Sequence, residues 1–138
     1  MLEAEISWAK NRRFIAVGKS SGHAIMLDTP EKSGGENLGI KPTQAFLIGI
    51  AGCTAVDMVN ILSKMRIELT LCEVKIEATQ KEDYPKYFDH GKIIYTLSGK
   101  DLDEKKARKA VDLSMDKYCA VSQSVKGRME ISTEIRIV

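Results

Sequence analysis

The stretch "AFLIGIAGCTAV" limits what this chain can fold into more than any other. Pro42 suits the first turn of a helix, and the run from Pro42 to about Lys64 reads as one long helix. Its apolar residues are not confined to a stripe: Phe46, Leu47, Ile48 and Ile50 cover every direction of the helical wheel. A helix apolar all round must be covered on all sides. The run Ala45 to Val56 contains Thr54 and small residues and is too short for a bilayer span, so the expected cover is protein.

Around that helix the pattern is mostly strand. "LEAEISW" alternates Leu2, Ala4, Ile6 and Trp8 with polar residues, the period of a half-buried strand. "RRFIAVGK" and "GHAIMLD" read as two more strands, and the glycine-rich stretch before Pro42 as a loop. "LCEVKIEATQ" and "GKIIYTLSG" follow the helix, with "KEDYPKYFDH" an irregular connection and His90 a turn residue. Asp101 and Glu104 resemble a capping pair for a second helix through about Tyr118, with an inward stripe of Ala107, Ala110, Val111, Ser114 and Met115. "MEISTEIRIV" closes the chain as a strand. The order βββ-α-ββ-α-β predicts an α+β fold with one six-stranded antiparallel sheet. Such a sheet covers one side of the central helix, and the second helix offers only a narrow stripe. The missing cover is expected from a second copy of the chain, an intimate homodimer.

No linker, repeat or low-complexity tract divides the 138 residues, which predicts a single domain over 1–138. Net charge is +2, from 21 basic and 19 acidic residues, and it is spread along the chain. No basic stripe of a nucleic-acid binder is present, and nothing calls for a membrane partner or a cofactor. Charge appears from the third residue, unlike a signal peptide, and three cysteines make an odd number for a disulfide framework. Both point to a reducing cytoplasm.

Cys72 shares the inward row of its strand with Val74, Ile76 and Ala78, where a free cysteine acts as a small hydrophobe. Cys53 lies mid-helix among Ala51, Gly52 and Ala55, where tight packing alone would explain it. Cys119, in "KYCAVSQSV", follows a helix break, so the amides after it begin a new turn, an environment that favours a thiolate. His23 and His90 stand 67 positions apart without a cysteine or carboxylate at ligand spacing, which argues against a zinc site. Ser122 and Ser124 have no histidine beside them to act as a base.

"GIKPTQAFLIGIAGCTAVDMVNILSKMR", together with "KYCAVSQSV", resembles the OsmC/Ohr family of osmotically inducible and organic hydroperoxide resistance proteins, in the manner of its YhfA-like branch. Gly39 to Pro42 matches the family's Gly-x-x-Pro, Gly52 to Val59 its Gly-Cys-Thr-Ala-x-Asp-x-Val helix, and Tyr118 to Ser122 its Tyr-Cys-x-Val-Ser. The resemblance covers nearly the whole chain and implies an intertwined α+β homodimer with the central helix enclosed. It also implies thiol-dependent reduction of organic hydroperoxides, in a stress-response role like that of the peroxiredoxins. Cys53 would attack the peroxide, Cys119 would close a disulfide, and an external thiol would reduce it.

The resemblance further implies an arginine from the region of Arg12 and Arg13 as the cation that stabilises the Cys53 thiolate. Active relatives hold that arginine with a glutamate at the helix start, where this chain has Thr43 and Gln44; Glu36 is the available substitute. Gln44, Phe46 and Asp57 complete the candidate site, with Phe46, Ile50 and Met58 favouring an organic peroxide. Asp57 lies four residues after Cys53 on the same helical face, and an unpaired carboxylate there raises the thiol pKa. It needs a basic partner, such as Arg12, Arg66 or the partner's Lys64, or else it is an anchor at the dimer interface. Two other readings stay open: a non-catalytic dimer binding a small apolar ligand, and a hot-dog thioesterase with Asp57 activating water.

Overall fold

The computed structural model describes residues 1–138. The class and element order are those expected, α+β with βββ-α-ββ-α-β and one added short helix. Residues 1–46 and 47–138 form two compact units. The single antiparallel sheet is corrected: the six strands form two three-stranded sheets.

In the first unit β1 (Ala4–Lys10), β2 (Arg13–Gly18) and β3 (Ala24–Leu27) form an antiparallel meander, with Ile6 opposite Ala16 and Ile15 opposite Met26. β1 was expected half-buried, but all seven of its residues are exposed; it is an outer strand of its sheet. After β3 the chain turns through one 3-10 turn, Glu31–Ser33. Asp28, only 1% exposed, organises this loop by accepting from the amides of Thr29, Glu36 and Leu38. Burial works to raise its pKa, but the three amides and Arg13 outweigh it and hold the carboxyl below its usual range. The Gly39-to-Pro42 motif now has a physical reason. A Cβ on Gly39 would lie 2.5 Å from the Met26 carbonyl oxygen, so only glycine permits this approach, and Pro42 opens the helix directly after it.

Helix α1 spans Pro42–Lys64, as expected. In the second unit β4 (Glu68–Gln80) pairs antiparallel with β5 (Phe88–Lys100), and β5 pairs parallel with β6 (Glu130–Ile137). The parallel pair follows from the connection. Between β5 and β6 the chain passes through α2 (Glu104–Leu113), a π-helical turn (Ser114–Tyr118) and α3 (Ala120–Val125), a crossover long enough to return it in the same direction. The cap of α2 is Asp103, which accepts from the Lys106 amide at 2.8 Å, and not the expected Asp101. His90 lies within β5, opposite Thr79, and not in a turn.

Ile50, Met58 and Leu62 of α1 share one core with Ile93, Tyr95 and Leu97 of β5 and with Ala107, Ala110 and Val111 of α2. Burying a side chain of this size contributes about 1.5–3 kcal/mol each. By length and composition the whole of α1 could cross a membrane, but its inner face is part of this core. Its outer face is not covered: Ile48 is 55% exposed and Val56 61%. Cys72 also departs from expectation. In register it faces Leu97, on the same side as Val74 and Ile76, yet it is exposed. The helical cover is centred on the middle strand β5, and Cys72 lies on the outer strand β4.

Candidate functional site

Cys53 and Cys119, 66 positions apart in sequence, meet within one chain. Their Sγ atoms and a carboxylate oxygen of Asp57 all lie within 4.8 Å of one another, and Cys72 is not among them. Cys53 and Asp57 stand one turn apart on α1, so helical geometry places them together. Cys119 arrives from the other side, at the break between the π-helical turn and α3.

A set of polar contacts fixes that break against α1. Thr54, fully buried beside Cys53, shares a 2.5 Å hydrogen bond with the Tyr95 hydroxyl, and its carbonyl accepts from the Ser114 hydroxyl at 3.0 Å. The Cys119 amide donates to the Ser114 carbonyl at 2.7 Å. α1, β5 and the π-helical turn are therefore tied at the residue next to each cysteine. Burial drives the Tyr95 pKa up to about 12, so its hydroxyl keeps its proton across the working range. Ser122 is a brace and not a nucleophile: its hydroxyl donates to the carbonyls of Cys119 and Met115.

Two consecutive amides serve the two sulfurs. The Ser122 N–H donates to Cys119 Sγ at 3.3 Å, and the Val121 N–H donates to Cys53 Sγ. The balance on Cys53 still runs against ionisation. Burial pushes its thiol above the ordinary value, and the Cys119 sulfur and the Asp57 carboxylate push it further, while the Val121 amide opposes them. No cation is among these groups. The rise from Asp57 is the one the sequence predicted; Asp57 has no basic partner, and its Oδ2 is buried without a hydrogen bond.

The remaining expected residues belong to the first unit. Arg13 is paired with Glu36 at 3.7 Å, and its Nε is buried without a partner. Glu36 also accepts from Asn11, so this loop carboxylate contacts both an arginine and an asparagine. Arg12 donates to Asn11 Oδ1 at 3.4 Å, and its guanidinium lies about 3.5 Å from where a Gly34 Cβ would be. Gln44 has a structural duty at the start of the helix. Its carboxamide oxygen accepts from the Lys41 amide at 3.2 Å, capping the start of α1. Phe46 is 40% exposed. The sequence reading missed Thr54, Tyr95 and Ser114; a polar residue inside an otherwise apolar run was the available signal for Thr54.

Known proteins resemble this chain in sequence and in fold. Residues 34–134 match the family model described as OsmC-like protein. Protein YhfA of Escherichia coli K12 is 31% identical over 140 aligned residues, covering 99% of this chain and 98% of the relative. A solved protein of Aquifex aeolicus VF5, described as hypothetical, superposes with a TM-score of 0.86 at 28% identity, over 100% of this chain and 96% of that one. An organic hydroperoxide resistance protein of Legionella pneumophila shares the fold at TM-score 0.72 and 18% identity, over 99% and 96% of the two chains. A hot-dog arrangement with one dominant helix is thereby set aside. The chain belongs to the OsmC-like protein family.

Proposed function

We propose that the protein reduces organic hydroperoxides through the Cys53–Cys119 pair. The meeting of the two sulfurs and Asp57 within 4.8 Å carries this reading, supported by the hydroperoxide resistance proteins among its structural neighbours. The Cys53 thiolate attacks the distal oxygen of ROOH; the O–O bond breaks, and the alkoxide leaves as ROH after taking a proton. Cys53 is then a sulfenic acid. The Cys119 thiol displaces hydroxide from it, forming a disulfide and water, and an external dithiol restores both thiols with its own oxidation. The Val121 and Ser122 amides steady the sulfurs through these charge changes.

The open face of α1 is the surface that a second copy covers in this reading. Ile48, Val56 and Val59 are exposed there, and beyond the adjacent residues and the helix's own backbone no heavy atom stands within 4 Å of a Cβ built on Gly49 or Gly52, so a partner's side chains have room to pack. The protein then works in the cytoplasm as a homodimer, without a cofactor. The experiment is single-turnover oxidation of the reduced protein by cumene hydroperoxide. Cys53→Ser should abolish consumption of the peroxide, and Cys119→Ser should stop at a sulfenic acid on Cys53 trappable by dimedone. Peroxide consumption unchanged in Cys53→Ser would overturn the proposal. So would an inert wild-type protein, which would favour a dimer that only binds an apolar ligand.

A further inference from the structure

The site gathers three groups that can each carry a negative charge. Two thiols and a carboxylate converge, no cation is among the groups that shift the Cys53 thiol, and Asp57 Oδ2 is buried with nothing to accept from. An unpaired buried carboxylate oxygen is costly, and a cation placed beside it removes that cost. We propose that Cys53 Sγ, Asp57 and Cys119 Sγ form a binding site for one thiophilic divalent metal ion of the zinc type. Tetrahedral zinc with bonds of about 2.0–2.3 Å sets its ligand atoms about 3.5–3.8 Å apart. Donors already within 4.8 Å of one another have only about 1 Å to close to reach that spacing.

The donor set also selects the ion. Two thiolates favour zinc, cadmium or cobalt over the hard ions magnesium and calcium. Three protein ligands leave the fourth position to water, and Cys53 is only half-buried, so the ion has an approach. Each thiol gives up its proton as it becomes a thiolate ligand, so two protons leave per ion bound. A bound ion occupies the sulfur lone pairs and holds the pair out of peroxide chemistry without oxidising it.

The test uses the full chain, reduced, stripped with a chelator and desalted, with no peroxide present, so its failure is separable from that of the peroxidase reading. Titration with Co2+ should give thiolate-to-cobalt charge-transfer absorption saturating at one ion per chain, displaced by Zn2+ and not by Mg2+. Cys53→Ser and Cys119→Ser should lose that band, Asp57→Asn should weaken binding by about tenfold or more, and Cys72→Ser should change nothing. The unaltered chain supplies a control that does not depend on variant folding. Zn2+ should slow alkylation of Cys53 by about tenfold or more and leave the exposed Cys72 labelling at its own rate. No charge-transfer band, or equal slowing at Cys72, would overturn the proposal.

Discussion

The two faces of α1 are written in the same alphabet and meet different fates. On one face Ile50, Met58 and Leu62 have no exposure at all; on the other Ile48 and Val56 are more than half exposed. Composition does not separate them, since both are aliphatic and interrupted by small residues. What separates them is the partner available. The inner face has β5 and α2 from its own chain, and the outer face has none. Cys53 and Asp57 lie on the border, half-buried, where a core rigid enough to place a sulfur adjoins a surface open enough to admit a substrate. Hydrophobicity states that a face wants cover, and topology decides who supplies it.

Truncation on the inner face should have the largest effect. Met58→Ala should lower stability by about 2–5 kcal/mol in chemical denaturation. On the outer face, Val56→Glu should act on association instead, turning a dimer into a monomer in light scattering at micromolar concentration. A monomeric wild-type protein would break the comparison, leaving the outer face uncovered for some other reason.

Next in size is the polar tie between the inner face and the sheet. Tyr95→Phe leaves the buried Thr54 hydroxyl without its partner and should cost about 1–3 kcal/mol, with slower disulfide closure between Cys53 and Cys119. A loss of stability with unchanged closure would show that the tie supports the core and does not position the pair.

Most of this fold was legible in the sequence, for identifiable reasons. Pro42 and the length of the apolar run gave α1 its bounds, and the alternation in "LCEVKIEATQ" gave β4. The split into two sheets and the parallel β5–β6 pair were not legible, because strand period says nothing about which strands are neighbours. Cys72 shows the same limit at one residue: its parity was right, but parity does not tell an outer strand from a middle one. At the site, the two cysteines and Asp57 could be picked out by motif. Gln44 could not be assigned, since a residue three positions into a helix reads alike as a cap or a substrate contact.

Border chemistry should respond to pH in a fixed direction. Because burial, Cys119 and Asp57 raise the Cys53 pKa, the thiol form dominates at neutral pH, and its oxidation rate should climb as pH rises toward the raised pKa. Asp57→Asn removes one like charge, so the rising limb should move to lower pH; this is the smallest of the expected effects, as Asp57 contributes least to the shift. A rate independent of pH in the wild-type protein would mean that a cation already holds Cys53 as thiolate.

The central claim is that one chain brings Cys53 and Cys119 together as a working pair while Cys72 stands apart. Peptide mass spectrometry of the reduced protein after one equivalent of cumene hydroperoxide tests it directly. The account predicts a disulfide joining the Cys53 and Cys119 peptides of the same chain, with Cys72 recovered as a free thiol. Recovery of Cys53 and Cys119 as thiols while peroxide remains, or a disulfide that includes Cys72, would contradict it.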